Sequence, residues 1–368
     1  MCEMNACRST REMRKELDQI QLDFQAADFD SHQRWDVSFE ELVHKSKIMS
    51  ARSILFLVVL SALEIHYVHS RTLTEFPPLN LYIGTDGDGY GAGSLPLGVQ
   101  SPYGGLRLGA DTSNTEDVPI VFNHLGGYHY ADTHINLFSH THMFGAGVPD
   151  YGEIGVIPVQ IEDKNHLQKM ISKRNGYRSA FRHENEIVQP GFYQVYLDTH
   201  HVKVELTATE QVGIHRYSYN KTANKQHVIL IDSSYTLQND VCNDSHINID
   251  VNNHELTGSI LFRGSLSGRF GGVRNYFVIK LSNWSNFGIW KDGQITEGLN
   301  QTDGCTTGAY LVLPDDQDQV TMYMGISYIS IEQARTNLQL QTKMFQSFDS
   351  MRTLVQQKWL DELTRFEV

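Results

Sequence analysis

The chain has 368 residues, 40% of them hydrophobic and 20% charged, with a formal net charge of -13. That composition excludes a disordered or fibrous polymer, and the length admits two average domains or one large β domain. The acidic balance repels a phosphate backbone, so nucleic acid is not expected as a partner, and it suits neutral ligands.

Residues 1–48 read either as an upstream extension or as a short separate module. Asp28, Asp30, Asp36, Glu40 and Glu41 imitate a calcium loop, but counting back from Glu41 puts Trp35 where glycine is required. A solvated amphipathic helix is the better expectation. Residues 49–70 carry the grammar of a secretory signal peptide. Lys45, Lys47 and Arg52 precede an apolar run from Ile54 to Leu63, and Val68 and Ser70 supply small residues before a cleavage point. The run is too short to span a bilayer, which takes about 20 apolar residues. A secreted chain with no membrane attachment after cleavage is therefore expected, with an uncleaved signal anchor or a buried core segment as the alternatives.

The cysteines and sequons agree with export. Only Cys242 and Cys305 follow the signal, which in an oxidising compartment suggests one disulfide, with two separate buried thiols as the alternative. Sequons at Asn220, Asn243, Asn283 and Asn300 suggest a glycosylated surface in a eukaryotic host.

From about Leu79 the pattern is β. Val202, Val204, Leu206 and Ala208 alternate with polar neighbours, as do Ile247, Ile249 and Val251. Short runs at His227 to Ile231, Ile260 to Phe262, Tyr276 to Leu281 and Tyr310 to Leu313 are separated by turn pairs such as Asn252-Asn253, Gly271-Gly272 and Asp292-Gly293. Many short strands at this spacing predict a mostly β, large antiparallel β-sandwich over 71–330. After Ser330 the spacing turns helical, through Ile331, Ala334, Leu338 and Leu340, then Met351, Leu354, Val355, Trp359 and Leu363. An apolar helical face needs cover. Residues 331–368 read as a C-terminal helical linker toward a further domain, or as a tail folded back on the sandwich.

The stretch from Gly84 to Gly109 is dense in glycine, which gives backbone room for a ligand or neighbour to approach. His140 and His142 are two apart, so on a strand both rings share a face, with Asp132, Asp150 and Glu153 nearby. Such a group suits sugar hydroxyls or a domain contact. It also fits a zinc pattern, or hydrogen-bonded core histidines. The run His183 to Glu186 reads as a solvated or sheet-edge motif.

Four blocks then occur in order: YIGTDGDGYGAG followed by ADT, GYHYAD followed by SHTHMFGAG and DYG, SAFRHENE followed by PGFY, and LTAT followed by HRY. In sequence and spacing they resemble the N-terminal domain of family 92 glycoside hydrolases, calcium-dependent exo-α-mannosidases. The resemblance covers about residues 79–368. Tyr103 stands where the family has Phe, and Ala110 precedes Asp111 where the family has proline. The resemblance implies a galactose-mutarotase-like supersandwich that forms one wall of a mannose-binding pocket. An (α/α)₆ catalytic domain would follow it and carry the acid, the base and most calcium ligands. It implies substrate contacts at Asp86, Tyr128, Asp132, His140, His142 and Asp150, with no catalytic residue and no cofactor in this chain. Mannose-containing glycans and a helical family 92 catalytic domain, in cis or in trans, are the expected partners. The rival readings are an enzyme subunit completed by a separately encoded helical domain, and a protein-interaction module.

Overall fold

The computed structural model describes residues 76–365 except 88–92, 115–123, 146–147, 149, 174–175, 223, 238–241 and 344–346. The expected extension over 1–48 and signal segment over 49–70 lie outside the described residues.

The alternating segments become strands. In chain order they are β1 Gly98–Val99, β2 Leu108–Ser113, β3 His134–Ser139 and β4 Gly155–Ile161, then helix α1 Lys164–Ile171. There follow β5 Ser179–Ala180, β6 Ile187–Gln189, β7 Phe192–Leu197, β8 Val202–Ala208, β9 Val212–Tyr219 and β10 Gln226–Asp232. Next come β11 Cys242–Asp250, β12 Glu255–Phe262, β13 Val273–Leu281, β14 Asn286–Lys291 and β15 Gln294–Glu297. The last elements are β16 Gln301–Asp303, β17 Thr307–Val312, β18 Gln319–Ser327, α2 Ile331–Thr342 and α3 Phe348–Leu363.

Two nine-stranded sheets result. The first runs β1-β2-β3-β4-β10-β17-β14-β15, with β5 against β3, and the second runs β16-β11-β12-β13-β18-β9-β8-β7-β6. The strand pairs are antiparallel, so the mostly β sandwich expected from the sequence is what forms. Turn chemistry sets the hairpins where it was legible. Asp292 and Gly293 both take positive φ between β14 and β15, the two-residue turn whose twist matches paired strands.

The inner faces pack together. Leu108 and Ala110 of β2, Val204 and Leu206 of β8, and Ile247 and Ile249 of β11 belong to one buried cluster spanning both sheets. Strand burial reports what covers each outer face. β11 alternates strictly, its Ser245, Ile247 and Ile249 buried and its His246, Asn248 and Asp250 turned outward. β4 is buried at every position because α1 covers it with Leu167, Met170 and Ile171.

The C-terminal helices fold back on the second sheet. Ala334 and Leu338 of α2 and Phe348 and Met351 of α3 pack with Phe192, Val212, Ile214 and Val278 in a second apolar cluster. Each fully buried side chain of this size contributes about 2 kcal/mol. Leu340, expected on the covered face, is exposed instead. Charge fixes α3 as well: Arg216 holds Glu205 through two 2.8 Å hydrogen bonds, reaches Asp349 at 2.8 Å, and lies over the Phe348 ring. No helix among the described residues is long and apolar enough to cross a membrane.

Cys242 and Cys305 are joined in a disulfide, their Cα atoms 5.5 Å apart and 63 residues apart in sequence. Cys305 lies between β16 of the second sheet and β17 of the first, so the bond fastens the start of β11 to the segment that passes from one sheet to the other. In the chain-entropy view such a loop is worth roughly 4 kcal/mol. The double substitution Cys242→Ser, Cys305→Ser is expected to lower unfolding stability by about that amount in urea titrations, and non-reducing peptide maps of the native chain should show the pair linked. Equal urea midpoints for the two proteins would refute it.

Candidate functional site

Close approach of the backbone also occurs at Gly127, beyond the Gly84–Gly109 stretch. Gly127, at φ +89°, sits so near β2 that a Cβ there would fall 2.0 Å from Asp111 Oδ1 and 2.9 Å from His142 Nε2. Only glycine leaves room for that pair. β2 also carries a bulge between Asp111 and Thr112, a device that re-aims successive side chains. Both residues border the same cavity.

From this bulge a strip of polar groups runs to the surface. The Thr112 hydroxyl donates to Asp132 Oδ2 at 2.7 Å and accepts the His129 amide at 2.8 Å. His124 Nε2 stands 2.6 Å from the same Asp132 oxygen, and the His124 and His129 rings stack at 5.2 Å. His129 Nε2 then lies 3.6 Å from Asp86, whose side chain is 52% exposed. On the inner side, Asp111 Oδ1 meets His142 Nε2 at 2.7 Å, and His142 Nδ1 faces the Arg107 carbonyl at 3.1 Å. Burial pushes the His142 imidazolium down, but Asp111 beside it outweighs this, so its pKa lies above the ordinary histidine value.

The strip borders a cavity of about 560 Å³ lined by Asp111, His124, Asn136, Asp232, Trp290 and the disulfide, among others. Asp232 accepts from the Tyr177 hydroxyl at 2.9 Å and from the amide and hydroxyl of Ser234. Trp290 offers a flat apolar wall and the carboxylates offer acceptors, the combination a sugar ring uses.

Beside the strip stands an aromatic shelf over a buried carboxylate. Glu186 accepts from Tyr193 at 2.6 Å, Tyr128 at 2.9 Å and Tyr82 at 3.2 Å, and faces His183 Nδ1 at 2.8 Å. Burial and the Glu186 charge hold the Tyr128 and Tyr193 hydroxyls protonated. The Tyr130 ring stacks on His183 at 4.1 Å and reaches solvent. The run His183 to Glu186 is thus not merely a solvated edge: Glu184 is exposed, but Glu186 is turned inward as the acceptor that gathers these tyrosines.

His140 and His142 do not act as a pair. β3 ends at Ser139, so strand alternation no longer governs them. His140 turns toward the second sheet, with Nδ1 2.8 Å from the Ile154 carbonyl and Nε2 2.9 Å from His215 Nε2. His215 Nδ1 lies 2.8 Å from the Tyr217 hydroxyl. The acceptors assign the protons. Ile154 can only accept, so His140 donates from Nδ1, His215 donates to His140, and Tyr217 donates to His215. Burial lowers His140 to about 4 and His215 well below its usual value, keeping both rings neutral.

Of the residues singled out in the sequence, Asp86 and Asp132 lie on the strip. Tyr128 and His142 are buried beside it, and His140 is buried in the separate relay. Asp150 stands apart: it accepts the Leu266 amide at 3.2 Å and the Ser267 amide at 2.7 Å, anchoring the turn between β12 and β13. Glu153 is buried, accepts from Thr141, and is pushed up by burial to about 7. Sequence reasoning did not select His124, Glu186, Asp232 or Trp290. Asp111 and Glu186 sit inside the recognisable blocks, whereas Asp232 and Trp290 arrive from distant strands with no local signal. Among the described residues, no group of three His, Cys, Asp or Glu side chains is placed to hold a metal ion.

The model for the glycosyl hydrolase family 92 N-terminal domain matches residues 79–327. No curated protein matches the chain. Among solved structures, a family GH92 alpha-mannosidase from Bacteroides thetaiotaomicron is similar at 26% identity and a TM-score of 0.66, over 79% of this chain and 38% of that one. The same mannosidase in complex with mannoimidazole gives a TM-score of 0.67 at 26% identity, over 79% of this chain and 37% of that one. A family GH92 inverting mannosidase from the same organism shares the fold at 19% identity and a TM-score of 0.61, over 74% of this chain and 34% of that one. The chain thus spans little more than a third of the length of these relatives.

Proposed function

Because the chain belongs to glycosyl hydrolase family 92 through that family's N-terminal domain, we propose that it supplies the carbohydrate-binding wall of an α-mannosidase-like protein rather than the acid-base pair. The observation that carries this reading is the polar strip from Asp86 to Asp111 beside a sugar-sized cavity, in a domain whose structural relative binds mannoimidazole. An inverting glycosidase needs a general acid and a general base about 6.5–9.5 Å apart across the scissile bond. In the strip and cavity, Asp132 is engaged by Thr112 and His124, and Asp232 by Tyr177 and Ser234. Carboxylates committed in this way serve as acceptors for hydroxyl groups. The acid-base chemistry belongs to a helical domain, as the family resemblance implies, and calcium to that complete enzyme. The signal segment makes the protein a secreted one.

Calorimetry on the secreted chain tests this. Mannose should bind with a millimolar dissociation constant, which is about 4 kcal/mol, and Asp86→Ala should weaken it roughly tenfold, about 1.4 kcal/mol. Aryl α-mannoside turnover should stay at background with or without calcium. Calcium-dependent turnover by this stretch alone would overturn the reading.

A further inference from the structure

The four sequon asparagines fall on different strands and loops, yet all four are exposed. Asn220 follows the last residue of β9, and Asn283 lies just beyond the end of β13. The register through β18 places these at one end of the sandwich, since Leu281 pairs with Met322 and Ser218 with Gln319. Asn300 precedes β16, and its carbonyl accepts the Ile249 amide near the end of β11, where Asp250 pairs with Glu255. It therefore lies toward that same end. The Asn220 amide donates to the Tyr196 hydroxyl at the surface, a bond that water can replace.

Asn243 lies at the opposite end. The β11–β12 register shifts between Cys242 and Asp244, so Asn243 is the bulged residue, without a partner in that ladder. Its neighbour Cys242 lines the 560 Å³ cavity. The exposed apolar residues Leu266 and Phe270, between β12 and β13, share this second end.

We propose that the chain carries asparagine-linked oligosaccharides at all four positions, three crowning one end of the sandwich and the fourth, on Asn243, standing at the opening of the cavity. The step transfers an oligosaccharide from a lipid-pyrophosphate donor. The new bond joins the asparagine amide nitrogen to the anomeric carbon, the carbon–oxygen bond to the pyrophosphate breaks, and the amide proton leaves with that group. The proposal rests on the export reading, so the experiment separates the two.

The full chain is expressed in cultured eukaryotic cells, and the medium and cell fractions are probed for it. Secreted protein is then treated with peptide-N-glycosidase in heavy-oxygen water, and the peptides are mapped by mass. Each formerly glycosylated asparagine is read out as a labelled aspartate. Labelling at Asn220, Asn243, Asn283 and Asn300 is expected, with exposed Asn252 and Asn253, which lack the motif, unlabelled. Each of N220Q, N243Q, N283Q and N300Q should remove one step of gel mobility. A secreted chain unlabelled at Asn243 would overturn the cavity-side assignment, and one unlabelled at the other three would overturn the crowned end. A chain found only inside the cells overturns the export reading instead.

Discussion

Acidification from pH 7 to pH 5 is expected to lower the urea midpoint of the folded chain. His140 and His200 are buried, and burial lowers each to about 4 from the usual 6.5. His215 lies well below the usual value for the same reason. A histidine with a depressed folded pKa is neutral when folded but protonated when unfolded over the window between the two values. Its stabilisation is therefore full above about pH 6.5 and is lost as pH falls toward 4. By pH 5 the loss is about 2 kcal/mol for each ring lowered to 4. Three buried groups oppose it: Glu153, His142 and Asp232, whose carboxyl burial raises above the usual aspartate value. Burial raises Glu153 to about 7, so its folded form holds a proton that the unfolded chain releases above about pH 4.5, and acid returns about 2 kcal/mol through it. His142, raised beside Asp111, adds in the same direction. Three lowered rings outweigh these terms. Urea titrations at the two pH values decide the matter, and Glu153→Gln should make the acid loss steeper. A midpoint that holds or rises toward pH 5 would mean that the buried rings are charged in the folded chain.

Glu186→Ala is expected to cost about 3–5 kcal/mol, because it leaves the Tyr128 and Tyr193 hydroxyls buried without their acceptor. Adding Tyr128→Phe to that background should recover roughly 1 kcal/mol, since it removes one of the stranded hydroxyls. The same Tyr128→Phe change in the native chain should instead destabilise it. Thermal unfolding of the four proteins closes the cycle. Additive effects would mean that Glu186 and Tyr128 do not depend on each other.

The strand set was legible where one face of a strand is wet. β11 showed its alternation because its outer face is wet, β8 alternated in polarity although its outer Glu205 and Thr207 are buried under α3, and the Asp292-Gly293 pair marked its turn. β4, covered on its outer face by α1, carries no such period and reads as an apolar run broken only by Gln160. α1 has only eight residues, too few for a clear helical period. The helical tail was legible as amphipathic, but its destination was not. Nothing local in Ala334 or Leu338 says that the apolar groove awaiting them lies on β9 and β13 of the same chain. The site was legible in its blocks more than in its roles. Asp132 and His142 were found, yet the spacing of His140 and His142 suggested one shared face because it assumed a strand that ends one residue too early. Cavity residues such as Asp232 and Trp290 are brought together by sheet order alone, which no short window of sequence reports.

Two apolar sheets facing each other are held by interdigitated side chains, contacts without direction that leave small shifts of offset open. The Tyr217–His215–His140–Ile154 chain removes that freedom at one point. It starts on β9 of the second sheet and ends on the segment that carries first-sheet strands β3 and β4, and each bond has a fixed donor and acceptor. A slide of a few ångströms would break the His140–His215 bond, the one that crosses between the sheets, in a place no water reaches. The Cys242–Cys305 bond is a second tether, between β11 and the segment that crosses from the second sheet to the first. Both tethers belong to the sandwich that lines the cavity with Asp111, Asn136, Cys242 and Cys305, and they resist shifts that apolar contact alone would allow.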